Sequence, residues 1–295
     1  MTVALRARNT FQLFKKAVSE WNEDNAPTFA ASLSYYTMFS IAPVLVIAVS
    51  VAGMVFGEEA ARGQIQTQLQ ELVGTSGAEV IGQMMISARK PSSGILATAL
   101  GVIALIFGAT GVFVQLQDAL NHIWHVQPRQ RNGVLNFLRN RFLSFAMVLV
   151  IGFLLLVSLV VSAALAGIGA YFDHLFPGWA PLWQGLNLLI SFAVITVLFA
   201  MMYKILPDTH VAWRDVWLGA AVTSLLFSLG KFAIGLYLGT STVSSSYGAA
   251  GSLAVVLIWV YYSAQILFLG AEFTQVYARR HGSRAQEGGA AGGEA

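Results

Sequence analysis

The side chains that could do chemistry in this chain lie within long apolar segments. One face of the last apolar segment carries four polar residues: Tyr261, Gln265, Glu272 and Gln275. Their spacing of four, seven and three residues stacks them on one side of a helix. Lipid tails offer such groups no partner, so we expect this face to contact protein or water. Glu272 then either pairs with a nearby arginine or lines a polar path through the membrane.

Lys231 is the one basic residue within a predicted membrane span. It shares a helical face with Ser224 and Ser228. The sequence leaves two interpretations open. The ammonium group extends to the outer headgroups along its four methylenes, or it forms a phosphate or carboxylate site with the neighbouring hydroxyls.

A second polar group lies at the end of another apolar segment: Gln115, Asp118, His122 and His125. An Asp-x3-His-x2-His pattern is able to hold a divalent metal, but helices at a membrane interface often carry such residues by chance. We therefore predict no metal ligand here and keep Gln115 and Asp118 as candidate binding residues.

Catalytic motifs are absent from the sequence. It has no phosphate-binding Gly-x4-Gly-Lys-Ser/Thr loop, no His-Glu-x2-His pair, no Gly-x-Ser-x-Gly elbow and no cysteine. The fourteen acidic residues are too dispersed for the metal-binding carboxylates of a nuclease. We predict a protein without enzymatic activity and without a cofactor.

The composition is that of a polytopic membrane protein. Hydrophobic residues make up 56% of the chain and charged residues 11%, whereas soluble domains have about 25% charged residues. The apolar runs predict an all-α transmembrane domain over residues 26–277. Its six helices are predicted at about 30–56, 94–116, 142–170, 185–206, 213–238 and 249–276.

The segments outside the spans have distinct predicted roles. Residues 1–25 have the amphipathic pattern of a helix lying on the membrane surface or packing on the bundle. The connection 57–93 should form two short amphipathic helices in an external loop. The tail 278–295 is rich in glycine and alanine and should be disordered.

The distribution of basic residues predicts the orientation. Of the seventeen Lys and Arg residues, thirteen fall in the termini and in the connections on their side, and three fall on the other side. Both termini should therefore lie in the cytoplasm. This bias accounts for the net charge of +3, so we predict membrane lipids and not nucleic acid as partners.

Several stretches together resemble a known family. They are Ala31 to Pro43 (ASLSYYTMFSIAP), Asn121 to Val126 (NHIWHV), Leu206 to Ala220 (LPDTHVAWRDVWLGA) and Tyr247 to Glu272 (YGAAGSLAVVLIWVYYSAQILFLGAE). In order and spacing the chain resembles the YihY/BrkB family of bacterial inner-membrane proteins. The resemblance implies six helices and a role in envelope lipid handling. A ribonuclease label once given to some members finds no support in these residues.

The first functional hypothesis is movement of phospholipid or lipopolysaccharide-type lipids between leaflets. It predicts a polar cavity lined by Tyr35, Tyr36, Ser40, Ser228, Lys231, Tyr261 and Gln265. Basic groups would lie near each mouth: Lys231 outside, and Arg139, Arg141 and Arg214 inside. The alternatives are a small-solute or ion transporter, a scaffold that presents residues 57–93, and a metal hydrolase as the weakest. A homo-oligomer and envelope partner proteins stay open.

Overall fold

The computed structural model describes residues 2–88, 111–126, 180–240 and 243–284, and these residues form helices joined by short turns. The helices are α1 (Thr2–Glu23), α2 (Ala26–Phe56), α3 (Glu58–Ala88), α4 (111–123), α5 (Ala180–Ile205), α6 (Trp213–Thr240) and α7 (Val243–Arg280). No strand occurs within these ranges. The all-α prediction is confirmed for them.

Three segments are long and apolar enough to cross a membrane: Ala26–Ser50, Leu188–Ile205 and Leu253–Arg280. They coincide with the spans predicted at 30–56, 185–206 and 249–276, and the span predicted at 213–238 is helical in α6. The span predicted at 142–170, and most of the one at 94–116, lie outside the described residues. Six spans and the orientation of the termini therefore stay predictions.

The break between α1 and α2 lies where the sequence predicts a helix start. Asn25 precedes α2 in the left-handed conformation, with φ 54°, which asparagine tolerates better than most residues. Pro27 follows in the first turn of α2, where its missing N–H costs no hydrogen bond. The chain thus ends one helix and begins the next within three residues.

Helix α1 packs on the bundle and also presents apolar side chains outward. Leu13 and Ala17 are buried against Phe273 and Val276 of α7. Three large apolar side chains elsewhere on α1 are exposed: Phe11, Phe14 and Val18. The packed stripe attaches α1 to the bundle, and the exposed one suits a membrane surface. The two interpretations of residues 1–25 are compatible.

The connection predicted as two short helices is one helix, α3, and that prediction was wrong. Gly57 reverses the chain with φ 85° and donates its N–H to the carbonyl of Gly53 at 3.0 Å. Helix α3 then runs along α2 and α7, with Ala78, Ile81 and Met85 buried. The glycines at 74 and 77 would end an isolated helix, but tertiary packing overrides weak local propensity.

Helices α6 and α7 approach each other closely through a reciprocal pairing of glycine and threonine. Gly219 of α6 faces Thr274 of α7, and Gly270 of α7 faces Thr223 of α6. The order of these pairs makes the two helices antiparallel. Each threonine hydroxyl donates to the carbonyl four residues earlier, at 2.7 Å, so the contact leaves no hydroxyl without a partner.

Helix α5 joins this contact through Tyr203. Its hydroxyl donates to the carbonyl of Leu267 at 2.7 Å and lies 3.0 Å from Thr223 Oγ1. The ring is fully buried and packs against Phe199. We call Tyr203, Gly219, Thr223, Gly270 and Thr274 the glycine seam.

Adding a methyl group to the glycine seam should destabilise the protein. A Cβ at position 219 would lie 2.8 Å from Thr274 Cβ, and one at position 270 would lie 2.9 Å from Thr223 Cβ. Forcing side chains or helices apart in a packed core costs about 1–3 kcal/mol. We expect Gly219→Ala and Gly270→Ala to lower the apparent Tm in detergent, measured by tryptophan fluorescence.

Gly63→Ala is the matched control. This glycine is also helical, but a Cβ there would meet nothing within 4 Å, so alanine should stabilise α3 by about 0.5–1 kcal/mol. Equal effects of the three substitutions would contradict close packing at the seam.

Candidate functional site

An open groove lies between α2 and α7. It has a volume of about 310 Å³ and is lined by Ser34, Tyr35, Met38, Leu257, Ile258 and Tyr261. Most of the lining is carbon, and the polar atoms belong to hydroxyl groups. The groove therefore offers an apolar floor with a few hydrogen-bonding groups, which suits an amphipathic ligand.

The α2 side of the groove carries exposed aromatic rings. Tyr35 is 60% exposed and Phe39 61%, and their ring centroids are 5.1 Å apart. Tyr36 packs edge-on against Tyr35 at 6.0 Å. Because α2 includes a candidate span, these rings are available to lipid.

The groove contains only some of the residues predicted to line a cavity. Tyr35 and Tyr261 lie on opposite walls of it. Ser40 is 2% exposed, with its hydroxyl close to Gly111 of α4. Gln265 is half-buried, and its side-chain oxygen has no hydrogen-bond partner.

Two of the predicted basic groups, Lys231 and Arg214, are not part of the groove lining. Lys231 is exposed on α6 and is not part of the groove lining, while Ser228 is half-buried. Arg214 is exposed in the first turn of α6. Arg139 and Arg141 lie outside the described residues. Within the described residues, neither Lys231 nor Arg214 lines the groove together with the tyrosines.

A second polar region lies where the end of α1, the turn 124–126, the loop 206–212 and the end of α7 meet. We call it the polar end. Asn121 donates to Asp208 Oδ2 at 3.0 Å and accepts the Asp208 backbone N–H at 2.7 Å. Gln275 donates to the carbonyl of Ile123 at 2.9 Å. These contacts attach α4 to the 206–212 loop and to α7.

The residues after α7 close the polar end. Asp215 accepts hydrogen bonds from the backbone and the hydroxyl of Ser283, at 2.9 and 2.7 Å. The Arg284 guanidinium lies over the Trp124 ring, 5.3 Å from its centroid, and donates to Thr209. The chain through residue 284 is therefore ordered by specific contacts, although the sequence predicts disorder from residue 278.

Glu272 is fully buried at the polar end. Neither of its carboxylate oxygens has a hydrogen-bond partner. Three charged groups interact electrostatically with the Glu272 carboxyl. They are Glu20 in the last turn of α1, Asp24 just after α1, and Arg279, which lies about two helical turns later in α7. No ion pair of Glu272 is found within the described residues, so the pairing that the sequence favours is not seen there.

The two histidines make separate contacts. The His122 ring packs against Phe29 at 5.0 Å, and His125 Nδ1 lies 4.0 Å from Asp24 Oδ2. Among the described residues no group of three His, Cys, Asp or Glu side chains is arranged to hold a metal ion. Gln115 is half-buried on α4, and Asp118 is exposed.

Sequence reasoning missed four residues of the polar end: Glu20, Asp24, Asn121 and Asp208. Asn121 and Asp208 do lie in two of the motif stretches, NHIWHV and LPDTHV. Their place in these motifs is the feature of the sequence that could have identified them. Glu20 and Asp24 look like ordinary charges of an amphipathic arm, and only the packing of α1 on α7 brings them to Glu272.

A profile of the virulence factor BrkB family matches residues 17–294. The chain belongs to this family. The match includes the C-terminal end of α1 from residue 17, the groove and the whole polar end. Membership in the BrkB family and the apolar helices together identify a membrane protein.

The chain is similar to several curated UPF0761 membrane proteins. The chain is 27% identical over 275 residues to a UPF0761 membrane protein of Alcanivorax borkumensis, covering 92% of this chain and 62% of the relative. It is 26% identical to one of Alteromonas mediterranea, covering 92% and 88%. A third, of Verminephrobacter eiseniae, is 30% identical, covering 85% and 58%.

The BrkB-family chain is shorter than several of these proteins. It spans about six tenths or less of the length of the first three curated relatives. No solved structure matches the chain.

Asp118 gives the polar end a measurable pH dependence. Although Asp118 is exposed at the surface, the surrounding protein partly desolvates its carboxyl and raises its pKa above the ordinary value of 3.8, and the nearby Asp208 raises this pKa further. A carboxyl with a raised folded-state pKa favours the folded state below pH 3.8 and loses that contribution as the pH rises through its folded-state value.

Asp118→Asn should therefore raise the apparent Tm at pH 7, because the variant cannot acquire the unfavourable charge. The gain should disappear as the pH falls towards 3.8, where Asp118 is itself protonated. Thermal unfolding in detergent across this pH range checks the expectation. A constant difference at every pH would show that charge is not the cause.

Proposed function

We propose that this BrkB-family protein handles envelope lipids and moves phospholipid or lipopolysaccharide-type lipids between leaflets. The observation that carries the proposal is the open groove between α2 and α7, two helices that contain candidate spans. Small-molecule sites are usually concave pockets that bury most of the ligand's surface. This groove is open to the side and mostly apolar.

The lining suits the two parts of a lipid. Met38, Leu257 and Ile258 provide carbon surface for an acyl chain. The hydroxyls of Tyr35 and Tyr261 are the groups able to bond to the ester or headgroup region. In this proposal α2 and α7 open laterally to the bilayer, so that the tails stay in apolar surroundings while the headgroup follows the tyrosines.

The setting is part of the proposal. The basic bias of the sequence supports an inner-membrane protein with both termini in the cytoplasm. The polar end would then face the cytoplasm, because it contains the end of α1 and the residues that follow α7. The lipid would undergo no covalent chemistry, and no cofactor enters the proposal.

Filling the groove should block lipid movement. Ile258→Trp places an indole on the groove wall, and the chain would be reconstituted in phosphatidylethanolamine and phosphatidylglycerol vesicles with a fluorescent phosphatidylethanolamine. We expect the rate of leaflet exchange to fall by about tenfold, which corresponds to about 1.4 kcal/mol. Tyr261→Phe removes the hydroxyl but keeps the ring, so it should slow exchange while the shape of the groove stays the same.

Leu229→Trp is the control. Leu229 is 61% exposed on α6 and does not line the groove, so its substitution should leave exchange unchanged. Unchanged exchange in Ile258→Trp, with a folded protein in the vesicles, would overturn the proposal. Uptake of a labelled solute without lipid exchange would favour a transporter of small solutes instead.

A further inference from the structure

Three carboxyl groups from two helices meet inside the polar end. Glu20 and Asp24 lie on the last turn of α1 and just after it, with side chains 15% and 16% exposed. Glu272 reaches them from α7 with no exposed surface. The packing of α1 on α7 thus places like charges where water is excluded.

Within the described ranges, most oxygens of these carboxyls have no hydrogen-bond donor. Both oxygens of Glu272, one of Asp24 and one of Glu20 are buried without a partner. The buried indole N–H groups of Trp21 and Trp124 do not supply the donor, because neither has a hydrogen-bond partner. A buried carboxylate normally accepts several hydrogen bonds, so the arrangement is unfavourable if all three groups are ionised.

Among the described residues, few positive groups lie around the cluster. Lys16 pairs with Glu20 at 3.3 Å, and Arg279 acts on Glu272 from one side. His125 lies 4.0 Å from Asp24, with its side chain 48% exposed. None of these groups donates a hydrogen bond to Glu272. A proton on Glu272 would provide the missing donor, because Asp24 lies within hydrogen-bonding reach of it.

We propose that Glu272 binds a proton that it shares with Asp24, forming a proton-binding site between α1 and α7. In the bound form the Glu272 O–H donates to the Asp24 carboxylate, and the pair carries one negative charge. On release the proton passes to water on the side of the exposed His125, and the pair carries two. The ligand of this site is the proton itself, and a metal ion is not required.

Proton release has a mechanical consequence. Two adjacent carboxylates at a largely buried site repel each other strongly, and the apolar contact that opposes their separation includes Leu13 and Ala17 packed against Phe273 and Val276. Release should therefore loosen α1 from α7, the helix that forms one wall of the groove. The coupling of this motion to lipid movement rests on the proposed function, whereas the proton site does not.

Infrared spectroscopy of the full chain in nanodiscs tests the site directly. A protonated carboxylic acid has a carbonyl absorption separate from that of carboxylates, and this absorption shifts in D₂O. We expect the wild-type protein to show such a band at pH 7 and to lose it in Glu272→Gln, where the amide has the same shape and its own donor. Asp24→Asn should shift the band, because the shared proton loses its charged acceptor.

Glu23→Gln is the matched control, since Glu23 lies between the two α1 carboxyls in sequence but is exposed. It should leave the band unchanged. Absence of the band in the wild-type protein, or its survival in Glu272→Gln, would overturn the proton site. If Glu272→Gln does not fold, an unshifted band in Asp24→Asn would overturn the proton site instead.

A second measurement separates the coupling from the site. Lipid exchange in the vesicles described above would be measured with and without an imposed proton gradient. We expect the gradient to change the wild-type rate and to have no effect in Glu272→Gln. If the infrared band is present but the gradient does not change the exchange rate, the proton site stands and its coupling to lipid exchange is excluded. If Ile258→Trp does not slow lipid exchange, the proposed lipid handling is overturned and the proton site is unaffected.

Discussion

The described part of this protein depends on the close approach of α6 and α7. A side chain at Gly219 or Gly270 would occupy the space of the facing threonine, so the distance between the helices is determined by the absence of two methyl groups. Lipid provides no hydrophobic force to press helices together, and tight van der Waals packing takes that role. Tyr203 adds a third helix by hydrogen bonding across the same contact.

With α6 and α7 packed together, the two halves of α7 have different surroundings. The half near Leu257 and Tyr261 meets α2 in an open groove, while the half near Glu272 and Gln275 is enclosed by α1 and α4. A single long helix therefore links the open groove to a largely buried cluster of carboxyl groups. Movement of α7 would therefore change the geometry of both the groove and the carboxyl cluster.

The polar end explains why the motif stretches are polar within an apolar chain. Asn121 and Asp208 form a two-bond contact between segments that are distant in sequence, and Asp215 anchors the residues that follow α7. These groups bond to each other across the polar end, although one oxygen of Asp215 is buried without a partner. The carboxyls of Glu20, Asp24 and Glu272 are different: Lys16 lies 3.3 Å from Glu20, but among the described residues neither oxygen of Glu272 has a hydrogen-bond partner. That difference distinguishes a structural network from a candidate ligand site.

The sequence by itself determined the helical class and the membrane environment, because the length and polarity of apolar runs decide them without reference to packing partners. The family came from the resemblance of its motif stretches, which the profile match over residues 17–294 confirms. It also located the start of α2, since Asn25 and Pro27 act locally. Only the tertiary structure decided that α3 is one helix, that Tyr35 and Tyr261 share a groove, and that Glu20 and Asp24 meet Glu272. These outcomes depend on which helix faces pack together, and helical periodicity identifies a face without naming its neighbour.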